Sequence, residues 1–72
     1  MDSATQTRAD KIMAFIVENV NAGRCVTLWT QTKGTALRKK NLSQVRVRGA
    51  ALEIQSGKRW IDYTWVSKVT AE

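Results

Sequence analysis

The stretch Ala9-Asp10-Lys11-Ile12-Met13-Ala14-Phe15-Ile16-Val17-Glu18-Asn19-Val20-Asn21-Ala22-Gly23-Arg24-Cys25-Val26-Thr27-Leu28-Trp29 contains the change of rhythm that decides the fold. Before Gly23, the residues Ala9, Ile12, Met13, Ile16 and Val20 recur at the spacing of one helix face. After it, Val26 and Leu28 alternate with Cys25, Thr27 and Trp29, the period-two pattern of a strand rich in β-branched and aromatic side chains. Thr7 followed by Asp10 reads as a capping-box start, with the carboxylate near the positive end of the helix dipole. Asn21-Ala22-Gly23 supplies the stop, because Gly23 can take the left-handed conformation after the last turn. The pattern predicts a helix over about residues 7–22 and a strand over 25–32.

Downstream the alternation continues. Lys33-Gly34 reads as a turn, Thr35 to Arg38 as the returning strand, and Lys39 to Ser43 as a polar bend. In Gln44 to Arg48, Val45 and Val47 face inward and Arg46 and Arg48 outward; Gly49 breaks the run. Leu52 and Ile54 alternate with Glu53 and Gln55, Ser56-Gly57 is a hairpin turn, and Lys58 to Thr64 reads as another strand, with Val66 and Val69 closing the chain. One amphipathic helix cannot bury its stripe alone, and short strands with one apolar face each need closure or a cover. The expected architecture is therefore α+β, mainly β. An N-terminal helix caps a small, strongly bent five-stranded antiparallel sheet or barrel of the Sm-like or SH3-like kind, whose closure hides the strand edges. Residues 1–6 are expected to be a flexible N-terminus and 7–72 one domain.

Composition narrows the chemistry. A chain of 72 residues with 43% hydrophobic and 25% charged residues suits one modest globular core. No apolar run is long enough to span a bilayer, and Met1 to Gln6 lack the basic and apolar regions of a signal peptide. The single cysteine, Cys25, cannot form an internal disulfide, which favours a cytoplasmic location for so small a domain. With no histidine and one cysteine, the chain has no His-based triad, no HExxH zinc site and no CxxC pair. The glycines are scattered singly, so no phosphate-cradling loop is present, and the six acidic residues show no spacing of a carboxylate pair or metal cage. A binding protein is expected rather than an enzyme, without a cofactor or metal.

The order of helix and strands resembles the Sm-like fold, including the Hfq family of bacterial RNA chaperones. The likeness runs through Val26-Thr27-Leu28, the Lys33-Gly34 turn, Ala36 to Lys40, Val45 to Arg48, Leu52-Glu53-Ile54, and a Trp60 to Val69 segment ending in a short turn and final strand. The small Rho-inhibiting proteins of bacteria look similar in layout. The family's second glycine is absent from Thr35 to Lys40, and its Tyr-Lys-His signature is replaced by Asp62-Tyr63-Thr64-Trp65. The resemblance therefore implies a fold, and neither the uridine-binding residues nor the ring of that family carry over.

Charge gives the functional expectation. The net charge is +6, and the excess lies between Arg24 and Arg59, where Glu53 is the single acidic residue. Alternation puts Arg46 and Arg48 on an outer face beside Arg38-Lys39-Lys40, a stripe suited to phosphates. The leading expectation is a small basic nucleic-acid-binding protein of weak sequence specificity. Arg38, Lys39, Lys40, Arg46, Arg48, Lys58 and Arg59 would contact phosphates and Trp60 would stack on a base. Whether the nucleic acid is DNA or RNA stays open, as does self-association through a strand edge. The alternative is a protein-interaction module that docks on an acidic partner surface through Trp29 or Trp60. Three tryptophans are present; Trp29 and Trp65 are read as plugs of the barrel ends against the helix, or else as exposed anchors.

Overall fold

The computed structural model describes residues 7–72. The expected loose segment over residues 1–6 lies outside them. Helix α1 runs from Arg8 to Asn21. Its start is the capping box: Thr7 Oγ1 accepts from the Asp10 N–H at 3.1 Å, and the Asp10 carboxylate accepts from the Thr7 N–H at 3.2 Å. Its end is closed by two reversed bonds, Arg24 N–H to Asn19 O at 2.9 Å and Gly23 N–H to Val20 O at 3.1 Å. The first needs Gly23 at φ +84°, where a side chain would be strained.

Among the described residues six strands follow: β1 Val26–Trp29, β2 Gly34–Leu37, β3 Val45–Arg48, β4 Ala51–Ser56, β5 Arg59–Asp62 and β6 Lys68–Ala71. They form two antiparallel three-stranded sheets, ordered β2-β1-β6 and β3-β4-β5. The expected single five-stranded sheet or barrel is thus corrected: there are two sheets, neither closed into a barrel, and a sixth strand. Two side chains explain the division. Asn41 Oδ1 accepts from the Arg38 N–H at 2.9 Å, and Lys39 to Gln44 wind into a 3-10 helix where the chain was expected only to bend. Asp62 accepts from the Thr64 N–H at 2.7 Å, an Asx turn that bends the strand expected to run on to Thr64. Beyond the bend, both backbone groups of Leu52 keep a partner: its carbonyl accepts from the Tyr63 N–H and its N–H donates to the Thr64 side-chain Oγ1, each at 2.7 Å.

β1 is also shorter than expected, ending at Trp29. Thr30 Oγ1 accepts from the N–H groups of Thr32 and Lys33 and so closes the turn to β2. The core is one cluster shared by all layers. Ala9, Ile12, Ile16 and Val20 of α1 pack with Val26 and Leu28 of the first sheet and Val45, Leu52 and Ile54 of the second. Val66, in the segment between β5 and β6, is buried with them. Among the described residues, no helix is long and apolar enough to cross a membrane.

Candidate nucleic-acid interface

The residues expected to form one basic stripe lie on three elements: the β3-β4-β5 sheet, the start of the 3-10 helix and the β4-β5 turn. On the outer face of β3-β4-β5, the register aligns Arg46 with Glu53 and Glu53 with Asp62. Arg46 Nε donates to Glu53 Oε1 at 2.8 Å, and its guanidinium lies 4.0 Å from the centre of the Trp60 ring. Arg46 therefore already has a carboxylate and an aromatic partner, and one face of Trp60 is occupied. Arg48, at the far end of β3, is exposed beside the Gly49-Ala50 turn.

Arg38, Lys39 and Lys40 are exposed at the start of the 3-10 helix. With Val20, Gly23 and Arg24 they line a groove of ≈ 300 Å³ at the C-terminal end of α1. The helix contributes the negative end of its dipole here, which favours this gathering of cations. Arg24 Nη1 donates to Asn19 Oδ1 at 3.2 Å, and the buried Asn19 amide donates in turn to Phe15 O at 2.8 Å. Lys58 and Arg59 are exposed at the β4-β5 turn. The register sets that turn at the same end of the second sheet as the 3-10 helix.

The tryptophans correct the packing expectation. Trp65 is 82% exposed and Trp29 40%, so neither plugs an apolar end. Trp65 lies in the turn made by Asp62, beside Ile61 and Tyr63, facing Thr30 and Lys33 across a groove of ≈ 420 Å³. Ile61 is 43% exposed there, because β5 is an edge strand. Asp62 lines the same groove, and the Thr64 hydroxyl and N–H bonds hold its carboxyl below the usual carboxylate range.

Sequence reasoning left Arg24 and Lys33 out of the site although it counted both in the basic segment. It also left Trp65 open between a buried plug and an exposed anchor, whereas the Asp62-x-Thr64 pattern was a turn signal that favours the surface. No protein-family model, curated protein or solved structure matches this chain.

Proposed function

We propose that this protein binds nucleic acid through exposed lysine and arginine side chains, with little sequence preference and without catalysis or a cofactor. One observation carries the reading. Among the described residues the single ion pair is Arg46–Glu53, so Arg24, Arg38, Lys39, Lys40, Arg48, Lys58 and Arg59 are exposed cations with no carboxylate partner. Like charges gathered at that density repel one another, and a polyanion relieves the repulsion while releasing its own counterions. The groove of Arg24, Arg38, Lys39 and Lys40 is the favoured phosphate site, with Lys58 and Arg59 extending it. Arg46 serves to position Trp60 rather than to meet phosphate. A kinship with small Sm-like or SH3-like barrels belongs to the same proposal, supported by the helix-first order and by β6 returning to pair with β1. A cytoplasmic setting fits the lone Cys25.

The test is a titration of the intrinsic tryptophan fluorescence with short single-stranded and duplex oligonucleotides at two salt concentrations. Binding should weaken steeply with salt. Lys39→Glu combined with Lys40→Glu should reduce affinity by at least about tenfold at low salt and flatten the salt slope by about two phosphate contacts. Unchanged affinity in that double variant would remove the groove as the phosphate site. No binding of either oligonucleotide at low salt would end the reading.

A second reading has its own observation: Trp65 and Ile61 are large, exposed and adjacent to one groove. Buried at an interface, such a tryptophan is a common energetic anchor. A partner captured by the protein whose binding ignores salt and collapses on Trp65→Ala would favour a protein-interaction module.

A further inference from the structure

The outer face of β2-β1-β6 carries an aromatic surface that the phosphate groove does not use. The register sets Trp29 between Gly34 of β2 and Lys68 of β6. Gly34 makes the position of the ring possible: a Cβ there would fall 2.8 Å from Trp29 Cε3 and from Cζ3. Nonbonded carbon atoms do not pack that closely, so the six-membered ring rests on bare backbone. At its other end, the indole Nε1–H donates to Thr70 Oγ1 of β6 at 2.9 Å. The ring thus spans from β2 across β1 to β6 and is held at both ends.

The surroundings suit a planar, anionic ligand. Thr27, Ala36 and Thr70 share the face, all small, and the three strands contain no carboxylate. Lys68 Nζ is 5.9 Å from the ring centre, and Lys33 stands in the turn at the Trp29 end of the sheet. Glu72 is at the opposite end, paired through its backbone with Cys25. A ring fixed before binding loses little conformational freedom when a second ring stacks on it.

We propose that this face is a stacking platform for an unpaired base of single-stranded nucleic acid, with Lys33 and Lys68 meeting the flanking phosphates. The inference rests on the nucleic-acid reading above and assigns it a strand preference: bases in a duplex are already stacked and cannot reach Trp29. Trp60 has one face covered by the Arg46 guanidinium, which leaves Trp29 the more open ring.

The experiment uses the full chain in two forms. In a Trp60→Phe, Trp65→Phe protein Trp29 is the sole indole. Its emission should be quenched to saturation by a short single-stranded oligonucleotide and left unchanged by the matching duplex. In the otherwise unaltered protein, Trp29→Ala should weaken single-strand binding, followed by anisotropy of a labelled strand, about tenfold while duplex affinity stays within about twofold. Thr70→Val keeps the ring but frees it, and should cost part of the same preference should Trp29→Ala fail to fold. Single-strand binding without Trp29 quenching, or Trp29→Ala weakening both ligands equally, would overturn the platform and leave the phosphate groove standing. Failure of the unaltered protein to bind either ligand would overturn both. A Trp29 signal that ignores oligonucleotides but shifts with protein concentration would assign the face to a second copy and overturn the proposal.

Discussion

Arg8 illustrates how much one side chain can organise here. From the first turn of α1 its Nε donates to Thr64 O at 2.7 Å and its Nη2 to Val66 O at 2.6 Å. Two charge-assisted bonds from one planar group fix the segment that carries Trp65 against the helix. Asp62 fixes the same segment from the other side, and its role is pH-dependent. Its carboxyl is held below the ordinary value of 3.8 by the Thr64 hydroxyl and N–H. A depressed folded-state pKa means that the anion stabilises the fold above the unfolded-state value, and that this contribution is lost as pH falls through the folded-state value. The protein should therefore lose stability as pH drops below about 4, and Asp62→Asn should lose less over the same interval. Urea midpoints at stepped acid pH would check this; parallel curves for the two proteins would deny Asp62 the role.

Among the elements, α1 was the most legible. Its capping box, stripe and glycine stop are all local, so Thr7, Asp10, Ile16 and Gly23 state them without reference to the rest of the chain. Thr7→Ala removes the side-chain acceptor for the Asp10 N–H and should cost about 1 kcal/mol, read as a lower thermal midpoint with the native fold kept. The β3-β4 and β4-β5 hairpins were legible for the same reason, with Gly49 and Gly57 at φ +61° and +63° in their turns. β6 was not. Val69 and Ala71 face inward only because Lys68 to Ala71 pair with β1, a partner about forty residues away that no local pattern names. The functional surface divided in the same way. Charge was legible as a total, whereas its sorting depended on Arg46 meeting Glu53 across a strand pair and on the α1 terminus meeting the 3-10 helix.

On the scale of the whole molecule, one helix serves two sheets. Leu28 in the first sheet and Leu52 in the second are fully buried in the same cluster. Neither sheet has a core of its own, which predicts one cooperative transition. A chain of this size is stable by on the order of 4–11 kcal/mol, and Leu28→Ala or Leu52→Ala should each remove about 2–5 kcal/mol. Both variants should shift the Trp29 and Trp60 signals, each isolated in a protein with the other tryptophans replaced by phenylalanine, to the same new urea midpoint. Separate midpoints would make the sheets independent units. The pairing of β6 with β1 also sets a schedule during synthesis. β2 can pair with β1 almost as soon as both have emerged from the ribosome, but the opposite edge of β1 waits for Lys68 to Ala71. Until β6 docks, that edge stays open and the indole of Trp29 lacks its Thr70 anchor. For that interval each copy exposes an unpaired strand edge, so the step before β6 docks is where misassembly with a second copy is most favoured.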